Sequence, residues 1–395
     1  MNDSKLINRK EKLFDKDLLK IEKSLNSIIK NSSFLVIGGA GSIGQAVTIE
    51  IFKRNPQSLH VIDISENNLV ELVRNLRSSL GYISGEFKTF AIDCASIHFE
   101  ALTREYSYDY VFNLSALKHV RSEKDPYTLM RLIEVNIFNT VKTLNLLNLK
   151  KPLKNFFSVS TDKAANPVNM MGASKKIMEN FLVKESEEKN ISMARFANVA
   201  FSDGSLLHGF NQRILKKQPI AAPRDVERYF ITSQESGELC LLAGLFGEKM
   251  DIFFPKLEQS LHLQKFSEIA KNYLTSLGFS IKECKSEEEA RELSSKLIKK
   301  NIWPCYFFDS DTSGEKDFEE FFTSNEILDL KRFKSIGIIK NQIIPNNDSL
   351  KFFKEEIDSL KQNGKWKKKD LLEIFKKTLP EFDHIETGKD LDQKM

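Results

Sequence analysis

A short apolar run, Phe34-Leu35-Val36-Ile37, ends in Gly38-Gly39-Ala40-Gly41-Ser42-Ile43-Gly44 and continues into a helical pattern over about 43–53. A strand, a turn with glycines at 38, 41 and 44, and a helix together leave few folds open. Glycine lets the backbone turn sharply and approach a bulky anion, and the following helix offers unpaired N–H groups with a positive dipole end. Ser42 and Ile43 stand at that helix start. The next strand, His60-Val61-Ile62, ends at Asp63, which lies 19 residues beyond Gly44. A carboxylate there accepts hydrogen bonds from ribose hydroxyls and repels a 2′-phosphate, so the pattern implies NAD rather than NADP. An ordinary tight turn with a packing glycine is the competing reading. It leaves the agreement of strand, helix and acid spacing unexplained.

Strand and helix patterns alternate from 34 to 196. Helices are expected over 66–79, 99–105, 129–147 and 172–186, and strands over 88–92, 110–114, 155–160 and 192–196. Such alternation predicts an α/β chain with a Rossmann-like doubly wound parallel sheet. We divide the chain into an amphipathic N-terminal helix at 1–31, an NAD-binding domain at 32–200, a smaller mixed α/β substrate-binding region at 201–335 and a helical C-terminal extension at 336–395. The first helix would bury Leu18, Leu19, Ile21, Leu25, Ile28 and Ile29 on one side. Segments of the substrate region are expected to return to the first domain. The extension reads as two helices, 349–362 and 368–378, around Gly364-Lys365-Trp366. Asp93, after the third strand, is either an adenine contact or a simple helix N-cap or turn acid.

Composition narrows the function. The 395 residues carry a formal charge of only +4, with lysine mixed among glutamate, which argues against a dedicated nucleic-acid binder and suits an anionic, phosphate-bearing substrate. Cys94, Cys240, Cys284 and Cys305 form no paired motif, so we expect thiols in a reducing cytosol and no metal site. The N-terminus has no signal-peptide core, and no run approaches the roughly 20 apolar residues of a membrane helix. A cytoplasmic enzyme is expected. Its lysine- and glutamate-rich tail would pack on the domain or across a homo-oligomer interface.

The chemistry should lie in Ser158-Val159-Ser160-Thr161-Asp162-Lys163, after the fifth strand, at the sheet edge where open α/β folds bind ligands. Met171 and Lys175 follow at a spacing that puts both on one helix face. Taken alone, the Ser-Thr-Asp stretch also fits a helix-capping turn. With the glycine loop, these segments resemble the extended short-chain dehydrogenase/reductase superfamily. More narrowly, Ser160-Thr161-Asp162-Lys163-Ala164-Ala165-Asn166-Pro167 with Met171-Gly172-Ala173-Ser174-Lys175 resembles the capsular-polysaccharide UDP-N-acetylglucosamine 4,6-dehydratases. Lys118-His119-Val120, Arg195-Phe196-Ala197-Asn198-Val199, Arg228-Tyr229-Phe230-Ile231-Thr232 and Gly314-Glu315-Lys316 follow in the same order.

The resemblance implies oxidation of a nucleotide-bound amino sugar at C4, loss of water across C5 and C6, and reduction at C6, with NAD as the hydride carrier. By the same resemblance Asp162 protonates the departing hydroxyl, Lys163 removes the C5 proton, Thr161 bonds the C4 oxygen and Lys175 binds the nicotinamide ribose. Lys118, His119, Asn198, Arg228 and Glu315 are implied substrate contacts, with Arg228 on the diphosphate. His119 also reads as a structural histidine. Met171 stands where most of the superfamily has tyrosine. A thioether has no titratable proton, so the base for the C4 hydroxyl is Asp162, Lys163 or a water relayed by Thr161. Branches of the dehydratases share this methionine. Asp203 and Thr312-Ser313 replace positive residues usual in the family, and Trp303-Pro304-Cys305 lies in an insertion expected to reshape the pocket. A nucleotide-sugar epimerase and a catalytically silent NAD-binding scaffold are the alternative readings.

Overall fold

The computed structural model describes residues 6, 7, 9, 11–256, 263–310, 320–340 and 345–384. The six expected strands form as β1 (Ser33–Ile37), β2 (Ser58–Asp63), β3 (Glu86–Ala91), β4 (Tyr110–Asn113), β5 (Asn155–Val159) and β6 (Ile191–Ala194). Short strands β7 (Asn198–Val199), β8 (Ile220–Pro223), β9 (Glu227–Arg228) and β10 (Phe230–Ile231) follow, then β11 (Asp251–Pro255), β12 (Gln264–Lys265), β13 (Ser280–Cys284), β14 (Ile302–Phe308), β15 (Ile327–Asp329) and β16 (Ile336–Lys340).

The main sheet runs β15-β16-β11-β6-β5-β4-β1-β2-β3. The strands from β3 across to β11 are parallel, and β16 and β15 close that side as antiparallel strands. β1, β4, β5 and β6 are nearly all apolar and buried, as both-face coverage by crossover helices requires. Strand order reverses between β1 and β4. Right-handed crossovers therefore leave in opposite directions there and open a crevice at the carboxyl edge. β16 falls inside the stretch assigned from sequence to the helical extension, and helix begins there only at Asn347.

A second apolar cluster holds Phe210, Ile220, Ala222, Ile269, Tyr273, Leu274, Trp303 and Phe307. It sits around the parallel sheet β13-β14-β8. Trp303 is fully buried against Phe279 and donates its indole N–H to Gln218 O at 3.0 Å. It is a core residue of this unit and lines neither cavity of the crevice.

Of the helix expected at 1–31, the described residues form one element over Asp15–Lys30. Leu6 and Ile7 join the second cluster instead, Arg9 pairs with buried Glu235, and Leu13 N donates to the same carboxylate at 3.0 Å. Leu25 and Ile29 are buried, but Leu19 is 70% exposed and leaves the predicted apolar face. The helix expected over 129–147 forms as Pro126–Ile133 and Asn139–Asn148, joined by a π-turn at Glu134–Phe138.

Helix Ser233–Phe246 packs along helix Ser42–Phe52, with Gly237 tight against Ala46. Beside this seam lies Glu238, buried, with Oε1 bonded to Gln234 and Oε2 without a partner. Burial and then the nearby Glu50 push its pKa up to about 7 from an ordinary 4.5. The folded chain therefore holds this proton more tightly than the unfolded chain does, and stability falls as pH rises from about 4.5 through about 7. Glu238→Gln should remove that slope and raise stability at pH 8 by up to about 3 kcal/mol. Urea titrations of both proteins across this range check it, and parallel stability profiles would contradict it.

Candidate active site

The glycine loop is shaped by contacts that allow no side chain. Gly38 has φ +71°, and a Cβ there would lie 2.8 Å from Ser115 N on the neighbouring strand's loop. A Cβ on Gly44 would lie 2.0 Å from Gly38 O. The turn thus folds onto the first helical residues, and the helix N-cap, Gly41, contributes no side chain to cover the free N–H groups. Asp63 is held at the tip of β2. Its Oδ2 accepts from Ala40 N at 3.0 Å and its Oδ1 from Ser65 N at 2.9 Å.

Two cavities meet at this loop and share Gly38, Gly41, Leu114 and Ala116. The smaller, about 260 Å³, is lined by Asp63, Ile64, Asp93 and Arg131 among others. Ser96 rather than Asp93 caps the next helix, and Asp93 is a turn acid. It lines the cavity, yet Oδ1 accepts from Ala95 N at 2.8 Å and Oδ2 pairs with Arg131 at 3.3 Å. The larger, about 350 Å³, gathers Ser42, Ile43, Gly44, Lys118, His119, Thr161, Asp162, Lys163, Met171, Lys175 and Asn198. Residues from 38 to 198 in sequence thus face one trough along the carboxyl edge of the sheet. The backbone cradle, the open helix end and the fixed acid at Asp63 fit an NAD dinucleotide.

The residues expected from sequence to carry the chemistry form a tight local set. Asp162 is buried, and its Oδ1 accepts from Thr161 Oγ1 at 2.7 Å, Lys163 N at 2.9 Å and Lys163 Nζ at 3.3 Å. Its Oδ2 has no partner. Asn198 Nδ2 is likewise buried without an acceptor, so the cavity wall carries one orphan acceptor and one orphan donor. Lys175 is buried one helical turn beyond Met171 and donates to Val159 O at 3.0 Å. Burial lowers its pKa to about 8, against the weaker opposing pull of Glu179.

The Lys118 ammonium reaches Ser202 Oγ at 3.4 Å and is open to the cleft, but crowding by protein lowers its pKa, with Asp203 opposing. His119 packs on Gly204, where a Cβ would come within 2.7 Å of its ring. Burial, then Lys118 and Arg121, lower its pKa. Asp203 lines the same cavity, and its N–H donates to Ser42 Oγ at 2.8 Å. Arg228 is not brought to either cavity. It is buried in the antiparallel pair of β9 and β12 and donates to Glu227 O at 2.8 Å. Glu315 lies outside the described residues, as do Thr312 and Ser313.

Several supporting residues had no clear sequence signal. Asn136, in the π-turn, accepts from Leu117 N and donates to Leu117 O and Ser174 Oγ at 2.9–3.1 Å. Arg195, fully buried, pairs with Glu179 at 2.6 Å and Glu326 at 2.9 Å, and Ser160 Oγ donates to Glu179 at 2.6 Å. Burial would raise the Glu179 pKa, but Arg195 outweighs it and holds that carboxylate ionised. A polar residue recurring at a core position was the only available hint.

Gly44→Ala should abolish NAD binding in a fluorescence titration, and unchanged affinity would remove the cradle argument. Lys175 supplies a pH test on the cofactor-free chain. Its folded pKa lies below the ordinary 10.5, so the unfolded chain binds the extra proton between about pH 8 and 10.5. Relative to Lys175→Met, the parent should gain stability with pH across that window, by at most about 3 kcal/mol. Denaturant midpoints measured at each pH decide it, and a constant difference between the two proteins would show that Lys175 is not the titrating group.

Comparison with known proteins agrees with this geometry. An uncharacterized membrane protein of Methanocaldococcus jannaschii, MJ1061, is 28% identical over 353 residues, covering 85% of this chain and 96% of that one. Among the described residues no helix is long and apolar enough to cross a membrane. The capsular polysaccharide biosynthesis protein CapD of Staphylococcus aureus is 28% identical over 326 residues, and the chain spans only 49% of its length. In fold, the chain is similar to Pen from Bacillus thuringiensis, with a TM-score of 0.63 at 21% identity over 80% of this chain and 89% of that one. It is also similar to WbmF from Bordetella bronchiseptica, solved with NAD+ and UDP, with a TM-score of 0.51 at 17% identity over 63% and 79% of the two chains. The profile of the polysaccharide biosynthesis protein family matches residues 34–341, and the chain belongs to that family.

Proposed function

We propose that the chain is an NAD-dependent 4,6-dehydratase of a nucleotide-activated amino sugar, UDP-N-acetylglucosamine or a close relative, acting in surface polysaccharide synthesis. The observation that carries this reading is the single trough. It joins the glycine loop and Asp63 to Thr161, Asp162, Lys163 and Lys175, with Asp162 Oδ2 left unpartnered in its wall. Gly38, Gly41, Ser42, Ile43, Gly44, Asp63 and Lys175 hold the cofactor, and Asp93 borders its adenine end. NAD, when bound, supplies a reversible hydride acceptor beside the sugar.

The residues divide the proton transfers. Thr161 Oγ1 hydrogen-bonds the C4 oxygen, and the C4 hydroxyl proton passes to the Thr161-Asp162-Lys163 set. Met171 takes no part, having no titratable proton. Once C4 is a ketone, the C5 proton is acidic and Lys163 Nζ removes it. Asp162 donates a proton from its carboxyl to the C6 hydroxyl, which leaves as water. Lys175 places positive charge beside the oxidation site. Lys118 and Asn198 face the sugar nucleotide from the opposite wall.

Epimerisation is the second reading, favoured by UDP-glucose 4-epimerases of Rickettsia, which are 27% identical over 57% of this chain. It needs no acid for a C6 leaving group, whereas Asp162 is built into the wall. Incubation with UDP-N-acetylglucosamine and related nucleotide sugars, followed by mass spectrometry and product NMR, separates the two. Loss of about one water mass is the expected result. An isomer of unchanged mass would replace this reading with epimerisation. Asp162→Asn should bind NAD as the parent does and lose at least about 100-fold in turnover. Near-normal turnover would displace Asp162 as the acid.

A further inference from the structure

The C-terminal extension reaches the wall of the site. Helices Asn347–Asn363 and Lys368–Thr378 pack on each other and on helix Met170–Glu185, which carries Met171 and Lys175. Phe353, Phe375 and Phe382 are buried, with successive ring centroids 5.3 and 6.3 Å apart. Trp366 donates its indole N–H to Pro126 O at 2.9 Å. These anchors bring in His384, whose side chain is 4% exposed, so that its Nε2 lies 3.2 Å from Glu123 Oε2. The other oxygen of Glu123 accepts from Met171 N at 3.1 Å.

That N–H belongs to the first turn of the Lys175 helix. The first N–H groups of a helix have no intrahelical acceptor, so outside groups hold them. Here the Asn169 side chain accepts from Gly172 N at 2.8 Å, and Glu123 accepts from its neighbour. The turn is packed with little tolerance, since a Cβ on Gly172 would lie 2.4 Å from Lys163 O. Its position therefore sets how Met171 and Lys175 face Thr161, Asp162 and Lys163. Glu123 is itself buried, so it keeps one orientation only while both oxygens have donors.

We infer that His384 is a positioning residue, by which the C-terminal extension orients Glu123 and, through it, the first turn of the Lys175 helix. The inference rests on the catalytic reading of the trough, but its first readout does not. Without His384 the Glu123 carboxylate loses one donor, rotates toward water and releases Met171 N–H. The extension is then a working part of the site rather than a packing appendage.

The test uses the full chain with His384→Ala, His384→Gln, Glu123→Ala and the double alanine variant. Hydrogen exchange of peptides covering 169–176 is read by mass spectrometry, beside steady-state kinetics. In His384→Ala the Met171 amide should exchange about 10-fold faster and kcat should fall about 10-fold or more, with KM within about 2-fold, since displaced but intact groups cost rate more than binding. Glutamine, which keeps an N–H donor, should recover most of both. The double variant should be no worse than Glu123→Ala, as one shared chain of contacts requires. Unchanged exchange in His384→Ala, or additive losses in the double variant, would overturn the proposal. If His384→Ala does not fold, glutamine recovery and the exchange rates in Glu123→Ala decide it. If the parent dehydrates no nucleotide sugar, the functional reading fails while the exchange data still decide the role of His384.

Discussion

The buried guanidinium of Arg195 joins the parts of the site. It leaves the end of β6 and takes Glu179 from the Lys175 helix, Glu326 from the segment before β15 and the carbonyl of Phe321 at 3.0 Å. Glu179 in turn receives Ser160 Oγ, one residue before Thr161. A charge with no access to water must be matched on every donor, and stranding one partner costs about 3–5 kcal/mol. The network therefore allows one relation between the strand edge, the helix and the substrate side. The reactive set is local in sequence, but its aim is set by this long-range pairing.

A second constraint acts on the other half of the trough. The contact between Gly44 and Gly38 O removes any side chain from the path of a pyrophosphate, while Asp63 is pinned by two backbone N–H groups. Both halves converge because β1 and β4 are neighbours with crossovers leaving in opposite directions. A sheet of this order has one such crevice, so cofactor and sugar must share it. Asp162 Oδ2 and Asn198 Nδ2 are buried without partners on residues that line the trough.

The elements legible from sequence were those with local causes. The glycine loop, the acid 19 residues on, the parallel alternation and the Met171–Lys175 spacing follow from backbone sterics and periodicity. What stayed out of reach of the sequence needed a partner far along the chain. Leu6 and Ile7 are drawn into the second cluster and Arg9 onto Glu235, more than 200 positions away, and the helix carrying Leu25 and Ile29 spans Asp15–Lys30. Arg228 carries the right group for a diphosphate, but its strand pairs with the distant β12 and it lines neither of the two cavities among the described residues. Trp303 lies in an inserted segment whose role no local pattern shows, and β14, the middle strand of a sheet, buries it.

From sequence alone, the chain was committed to a doubly wound sheet, to a cradle for a dinucleotide and to a set of reactive side chains at one strand end. The cradle and the side-chain set are each written within some thirty residues and the sheet in a repeated alternation of such units, where covalent geometry and periodicity act directly. Tertiary structure alone decided which charges meet: Arg195 with Glu179 and Glu326, and His384 with Glu123. Those pairings depend on low-dielectric burial and on the docking of distant helices, and no local pattern encodes either.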